Sequence, residues 1–335
     1  MPGRFLVIQT AFIGDVILAS ALLETIHLAW PDVQIDLLVR HGNESLFHDH
    51  PFLNEVFIWE KKKNKYGSLR QLLIQIRAAN YDVVLNLQRF GATGLLTALS
   101  KAKVTIGFDK NPFARGFTYR IPHVIGLGPK GMRHEVERNN DLLRPLNVPP
   151  VGPPRPRLYP SPTDYSTVIT WQTALYVCIA PTSVWFTKQY PASCWVDVIC
   201  QLPHQWNIYL LGAPGDAAAC EHIRAEVGSA RVVNLAGKLS LLQSAALMQG
   251  AQMNYVNDSA PLHLCSAMNA PTTAVFCSTV PSFGFGPLSD NSRVVEIHEL
   301  IECRPCNLHG RTACPLGHFQ CAYGIDTAEV AGTQS

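Results

Sequence analysis

The sequence predicts an α/β protein of two doubly wound, parallel-sheet domains. Three observations carry this: short apolar runs alternate with amphipathic stretches in both halves, 335 residues exceed what one core usually supports, and a proline-rich run divides them.

In the first half the alternation runs through Phe5 to Gln9, a helical pattern from Asp15 to Trp30, Gln34 to Arg40, a helix near Ser68 to Ala79, and Asp82 to Leu87. This is βαβα order. Parallel strands joined by right-handed crossovers build an open sheet whose ligands bind beyond the carboxyl ends of the strands, so functional residues are expected just after strands. Between Asn147 and Pro162 the chain reads NVPPVGPPRPRLYPSP, too rich in proline for a helix or a central strand. The expected division is therefore a first domain over 1–155, a second over 163–326 and a tail over 327–335. The second domain resumes the alternation with Leu175 to Ala180, a helix from about Cys194 to Leu202, Asn207 to Leu211, a helix from Ala217, and Val232 to Leu235. Leu239 to Met248, Met253 to Asn257, a helix from Pro261 to Met268, and Thr273 to Phe276 follow.

Composition is that of a folded protein, with 47% hydrophobic and 16% charged residues, which excludes disorder. Charge is uneven: residues 1–157 hold 20 basic against 13 acidic side chains, and the remainder 7 against 12. A basic first half suits an anionic partner, although scattered lysines more often serve solubility alone. The apolar N-terminal stretch is interrupted by Asp15 and no run of about 18 uncharged apolar residues follows, so a cytoplasmic protein without a membrane span is expected. All ten cysteines lie after residue 177. Cys178, Cys194, Cys200, Cys220, Cys265 and Cys277 sit in apolar segments and are expected to be reduced core residues.

Three strand-to-helix junctions carry candidate chemistry. At Thr10-Ala11-Phe12-Ile13-Gly14-Asp15-Val16, Gly14 permits a tight turn and Asp15 falls at a helix start, either as an ordinary N-cap or as a carboxylate held ready for use. A dinucleotide fingerprint would need G-x-G-x-x-G here and only Gly14 is present; no P-loop occurs either, which argues against nicotinamide enzymes and NTPases. At Asn257-Asp258-Ser259-Ala260-Pro261-Leu262-His263, Pro261 suits a first helical turn, and Ser259 with the free N–H groups would bind an anion that His263 could reach. The alternative is a capped helix with a core histidine. At Ala180-Pro181-Thr182-Ser183-Val184-Trp185-Phe186-Thr187-Lys188, Thr182, Ser183 and Thr187 offer hydroxyls to phosphate, and Lys188 offers the charge that a departing diphosphate requires.

The segments TAFIGDVILASALL, APTSVWFTKQYP, LAGKLSLLQSAALM and NDSAPLHL, in this order and spacing, resemble the successive motifs of glycosyltransferase family 9. The tail CRPCNLHGRTACPLGHFQC is most similar to the ADP-heptose:lipopolysaccharide heptosyltransferases of the heptosyltransferase II kind. The resemblance implies the GT-B fold, two Rossmann-like domains facing across a cleft. It implies an inverting transferase that needs no cofactor and moves heptose from ADP-heptose to the inner core of lipopolysaccharide. It further implies Asp15 as general base, the nucleotide sugar on Thr182, Ser183, Lys188, Asp258, Ser259 and His263, and Gly237 and Lys238 near the adenosine. Two departures stand out: Ala260 and Pro261 follow Asp-Ser where the family usually has glycine, and Gln189-Tyr190 replace a basic residue and a tryptophan. Donor identity is thereby less constrained than the chemistry.

Acceptor contacts are expected from the basic first domain, with Arg40, Lys61, Lys62, Lys63, Arg89, Arg115, Arg120, Arg133 and His134 as candidates; a solvated lysine run is the alternative for residues 61–65. The lipid-linked acceptor also implies peripheral association with the cytoplasmic face of the inner membrane. Cys303, Cys306, Cys314 and Cys321, with His309 and His318 interspersed, are candidate ligands for structural zinc or iron, or else a reduced loop. Two other readings compete: a related transferase with another nucleotide sugar or a protein acceptor, and a non-catalytic module binding nucleic acid or metal.

Overall fold

A computed structural model describes residues 3–62, 64–126, 132–148 and 151–333. The chain separates into two compact units, one of residues 1–125 with 133–159, the other of 126–132 with 160–335. Lys63, one of the acceptor candidates, lies outside the described residues.

The first unit contains β1 (Arg4–Ile8), α1 (Ile13–Ala29), β2 (Gln34–Arg40), β3 (Leu53–Trp59), α2 (Lys65–Ala78), β4 (Val83–Asn86), α3 (Gly91–Leu99), β5 (Val104–Phe108), β6 (Tyr119–Ile121) and α4 (Glu135–Asn140). Its six strands, all parallel, lie in the order β3-β2-β1-β4-β5-β6. The second unit contains α5 (Pro162–Val168), β7 (Tyr176–Ala180), α6 (Ala192–Gln201), β8 (Asn207–Leu210), α7 (Ala217–Val227), β9 (Val232–Asn234), α8 (Leu241–Gln249), β10 (Met253–Asn257), α9 (Ala260–Met268), β11 (Thr272–Phe276), β12 (Ser292–Glu296), α10 (Gln320–Tyr323) and α11 (Thr327–Ala331). Its sheet is likewise parallel, in the order β12-β11-β10-β7-β8-β9. Each sheet reverses its winding once, between β1 and β4 and between β7 and β10, and such a point opens a crevice at the carboxyl edge.

Burial explains why the central strands read as unbroken apolar runs. Phe5, Leu6, Val7 and Ile8 of β1 and Val177, Cys178 and Ile179 of β7 are fully buried, because helices cover both faces of a parallel sheet. Helix α1 is buried from Val16 through Leu23 without a polar stripe. It is covered by α4 and by the connector, where Arg157 N–H donates to Ser20 Oγ (2.9 Å) and Tyr159 Oη to Glu24 (2.8 Å). A helix apolar all round must be enclosed. Five of the six cysteines expected in the core are buried, but Cys200 is exposed, since it lies on the outward side of α6. No described helix is long and apolar enough to cross a membrane.

Opposite the carboxyl edge, the first sheet is pinned by one buried carboxylate. Asp36 is fully buried and accepts from Arg4 Nε (2.9 Å), Tyr81 Oη (2.5 Å) and Asn54 Nδ2 (2.8 Å), tying the starts of β1, β2, β3 and β4. Truncating it strands three donors, one of them charged. Asp36→Ala is expected to destabilise the first unit by about 3 kcal/mol, read as a lower midpoint in denaturant unfolding.

Candidate functional site

In the first unit the residues after β1, β4 and β5 converge at the carboxyl edge. Buried amides lace these loops: Gln9 Oε1 accepts from Gln88 Nε2 and from Ala11 N–H, Gln88 N–H donates to Asn86 Oδ1 (2.9 Å), and Asn111 Nδ2 donates to the Gln88 carbonyl (2.9 Å). Asn43 Nδ2 and Lys61 Nζ donate to the carbonyls of Ala11 (3.0 Å) and Thr10 (2.6 Å), fixing the turn that delivers Asp15.

Asp15 is not the helix cap. Phe12 is, with no side-chain bond, and Asp15 occupies the third helical position. The backbone N–H groups of Phe12 and of Asp15 itself favour its ionised form. The turn also needs no special backbone from Gly14, which has an ordinary negative φ. Burial, reinforced by the charge of Glu135, pushes Asp15 up from 3.8 to about 6, against the helix N–H groups and Arg89. Glu135 is itself buried, with His123 Nε2 at 3.2 Å from one carboxylate oxygen and Arg138 Nε at 2.7 Å from the other. Sequence reasoning missed Glu135; its signal was an acid in the first turn of a short helix, next to His134.

The acceptor candidates separate. Arg89 acts on Asp15, Arg40 stacks on the Phe12 ring (4.9 Å), and Arg115 and Arg120 line a cavity of about 380 Å³ with Asp109 and Asn111. His134 caps α4 through Nδ1 (3.2 Å) and Arg133 is committed to Asp141, so both have structural partners. Lys61 is not part of a freely solvated run: partly buried over Trp59 (4.8 Å), its ammonium is pushed down to about 8, by burial first and then by Arg40 and Lys65. Lys62 is exposed.

In the second unit the ends of β7, β10 and β11 meet. Asn257 stitches two of them, donating to the Pro181 carbonyl (2.8 Å) and accepting from Tyr190 N–H (2.9 Å). Lys188 Nζ lies 2.6 Å from Asp258 Oδ2, which also accepts from Thr279 Oγ1 (2.6 Å), and both partners are largely buried. Thr187, read above as a phosphate donor, is committed elsewhere: fully buried, it is hydrogen-bonded to Ser278 Oγ (2.9 Å) and Arg311 N–H (2.8 Å). Thr182 and Ser183 are partly exposed on the loop after β7. Ser259 caps α9 with Pro261 in its first turn, and His263, one turn in, is buried near Phe285. Gly237 and Lys238 follow the edge strand β9, two strands from β7; Gly237 has φ +74°, and a Cβ there would meet Pro214 Cα at 2.7 Å. Thr279 was legible only through the rule that ligand residues follow strands.

The cysteine tail wraps around this group. Cys306 N–H donates to the Ser278 carbonyl (3.0 Å), Arg304 donates to the carbonyls of Cys277 (2.7 Å) and Thr279 (2.8 Å), and Thr187 N–H donates to that of Arg311 (3.1 Å). Gly310, at φ +82°, passes so close that a Cβ would stand 2.8 Å from Lys188 Cγ. Cys303, Cys306, Cys314, Cys321 and His318 line one cavity of about 360 Å³, with Cys303 Sγ 3.9 Å from His318 Nε2. Among the described residues, however, no group of three or more His, Cys, Asp or Glu side chains is arranged to hold a metal ion.

The model of the family described as glycosyltransferase family 9 (heptosyltransferase) matches residues 69–313. Lipopolysaccharide heptosyltransferase 3 of Escherichia coli is 26% identical over 300 residues, covering 84% of this chain and 85% of that protein. Lipopolysaccharide heptosyltransferase 1 of Pseudomonas aeruginosa is 26% identical over 326 residues, 90% of this chain and 86% of its own length. The solved structure of E. coli ADP-heptose lipopolysaccharide heptosyltransferase II superimposes with a TM-score of 0.78 at 22% identity, covering 98% of this chain and 96% of the other.

The raised proton affinity of Asp15 has a consequence for folding. Its carboxylate ionises more easily in the unfolded chain, so its cost to stability is absent below about pH 4 and complete above about pH 6. Asp15→Asn is expected to melt above the wild-type protein at pH 8, with the gap closing as pH falls from 6 to 4 in a thermal-melt series.

Proposed function

We infer that this chain, which belongs to glycosyltransferase family 9, moves heptose from ADP-heptose to the inner core of lipopolysaccharide by one inverting displacement. Its fold is GT-B, α/β with two doubly wound units. Membership in a family of enzymes decides against the non-catalytic module. The observation that carries the reading is Asp15: a carboxylate at the winding reversal of the first sheet whose proton affinity is shifted towards neutrality.

In the proposed step, Asp15 takes the proton from an acceptor hydroxyl as that oxygen bonds to the anomeric carbon of the heptose. The bond from that carbon to the diphosphate breaks, and ADP departs with its electron pair. A base of pKa about 6 is mostly ionised at neutral pH and still accepts a proton well. Residues 163–326 form the donor domain on this reading. Lys188 meets the charge growing on the departing diphosphate, assisted by the hydroxyls of Thr182, Ser183 and Ser259, with Asp258 and His263 completing the group and Gly237 and Lys238 towards the adenosine. Residues 1–155 form the acceptor domain, where Arg89, Arg40, Arg115 and Arg120 suit the phosphates and carboxylates of a lipid-linked oligosaccharide. The step uses no metal, and such an acceptor places the work at the cytoplasmic face of the inner membrane.

For the cysteine tail, structural zinc or iron remains part of the proposal, supported by one local observation. The backbone N–H groups of the turn from Leu316 to Phe319 outweigh burial and hold the Cys314 thiol below the ordinary range. That is thiolate chemistry, and Cys303, Cys306 and Cys321 share its cavity. A bound ion would have to draw these sulfurs together, and its part would be to brace the fold.

Mixing the protein with ADP-heptose and a heptose-deficient lipopolysaccharide should add one heptose to the acceptor mass; no product, or product only with UDP- or GDP-linked sugars, would overturn the donor assignment. Asp15→Asn is expected to lower turnover about 10²- to 10⁴-fold while leaving ADP affinity intact, whereas Lys188→Ala should weaken both. Elemental analysis of the purified protein should find about one zinc or iron per chain, and a metal-free, fully folded protein would end the tail proposal.

A further inference from the structure

The first unit carries a buried charged group that the transfer mechanism does not use. Glu135 opens α4, which packs on α1, and its two carboxylate oxygens are taken by His123 (3.2 Å) and Arg138 (2.7 Å). All three are buried: Glu135 is 8% exposed, His123 2% and Arg138 3%. A buried carboxylate is costly unless it is paired, and this one is fixed at both oxygens by buried partners.

We propose that Glu135 is a positioning residue of the transfer reaction, its fixed negative charge on α4 acting across the helix contact to make Asp15 a stronger base. The assignment rests on Asp15 being the base. Burial by itself would raise the Glu135 carboxyl, but His123 and Arg138 outweigh it and hold the group below the ordinary range, so its charge persists while Asp15 titrates. Glu135 is in turn the neighbouring charge that acts most strongly on Asp15, second only to burial.

Other charges also surround the turn. From the loop after β4, Arg89 lowers Asp15; from the β2 and β3 ends, Arg40 is engaged with the Phe12 ring and Lys61 with the Thr10 carbonyl. Arg138, the nearest balancing cation on α4, spends its guanidinium on Glu135 and on the Arg133 carbonyl. The acid thus outweighs the cations at Asp15. The arrangement follows a general rule: a like charge beside a carboxylate raises its proton affinity, and a base works best with a pKa near the operating pH.

The test is the pH dependence of kcat/KM for transfer from ADP-heptose. The wild-type rate should fall on the acid side with a midpoint of about 6. In Glu135→Gln that midpoint should drop by about half a pH unit or more, and the plateau rate should fall, with ADP affinity unchanged. Glu135→Asp should restore the wild-type midpoint, which a purely structural role would not require. If the single glutamine variant fails to fold, Glu135→Gln combined with Arg138→Gln removes both buried charges together and carries the same expectation. A folded variant lacking the 135 carboxylate whose midpoint stays at the wild-type value overturns the proposal. Asp15→Asn separates the two claims: near-normal turnover there sinks the base assignment itself, whereas an inactive Asp15→Asn with an unmoved Glu135→Gln midpoint rejects only the role of Glu135.

Discussion

Everything at the candidate site depends on one topological constraint: each parallel sheet reverses its direction of winding once. The crossovers on either side of β1 and β4, and of β7 and β10, leave in opposite directions, so the loops between them separate and expose the strand ends. Asp15 and Arg89 issue from the first such pair, Lys188 and Asp258 from the second. Buried amide side chains hold these loops. Asn257 joins the β7 and β10 loops, and Gln9, Gln88 and Asn111 join those of β1, β4 and β5. An amide both donates and accepts without carrying charge, which suits it to sit next to groups whose own charges matter.

The two sites differ in how their charges are handled. In the second unit opposite charges are paired, Lys188 against Asp258, with Thr279 completing the carboxylate's hydrogen bonds. In the first unit burial comes first and the charge of Glu135 second in raising the proton affinity of Asp15.

Strand and helix positions were largely legible because burial on both faces of a parallel sheet writes continuous apolar runs into β1, β4 and β7. Of the edge strands only β9 was; β3, β6 and β12 were not. β3 alternates exposed and buried side chains beside a lysine run, and β6, with three residues, carries no pattern at all. At the candidate site, sequence singled out residues bearing a motif but not the partners around them. Glu135 lies on α4, far in the chain from the α1 it packs near, and Thr279 lies in the loop after β11. Asp15 illustrates the same limit: an aspartate near a helix start reads as a cap, and three residues of register decide that Phe12 takes that place instead. Thr187 was misassigned because its hydroxyl is exposed or buried according to where the tail runs, which local sequence does not encode.

The close passage of Gly310 over the stem of Lys188 links two segments that are more than a hundred residues apart in the chain. Any side chain at 310 would need both a left-handed backbone, which L-residues seldom adopt, and room that the lysine's methylenes already fill. A side chain at 310 therefore calls for a shortened or rerouted residue at 188: among descendants of this sequence, loss of the glycine should come with such a change, whereas a smaller residue at 188 leaves the glycine free to stay.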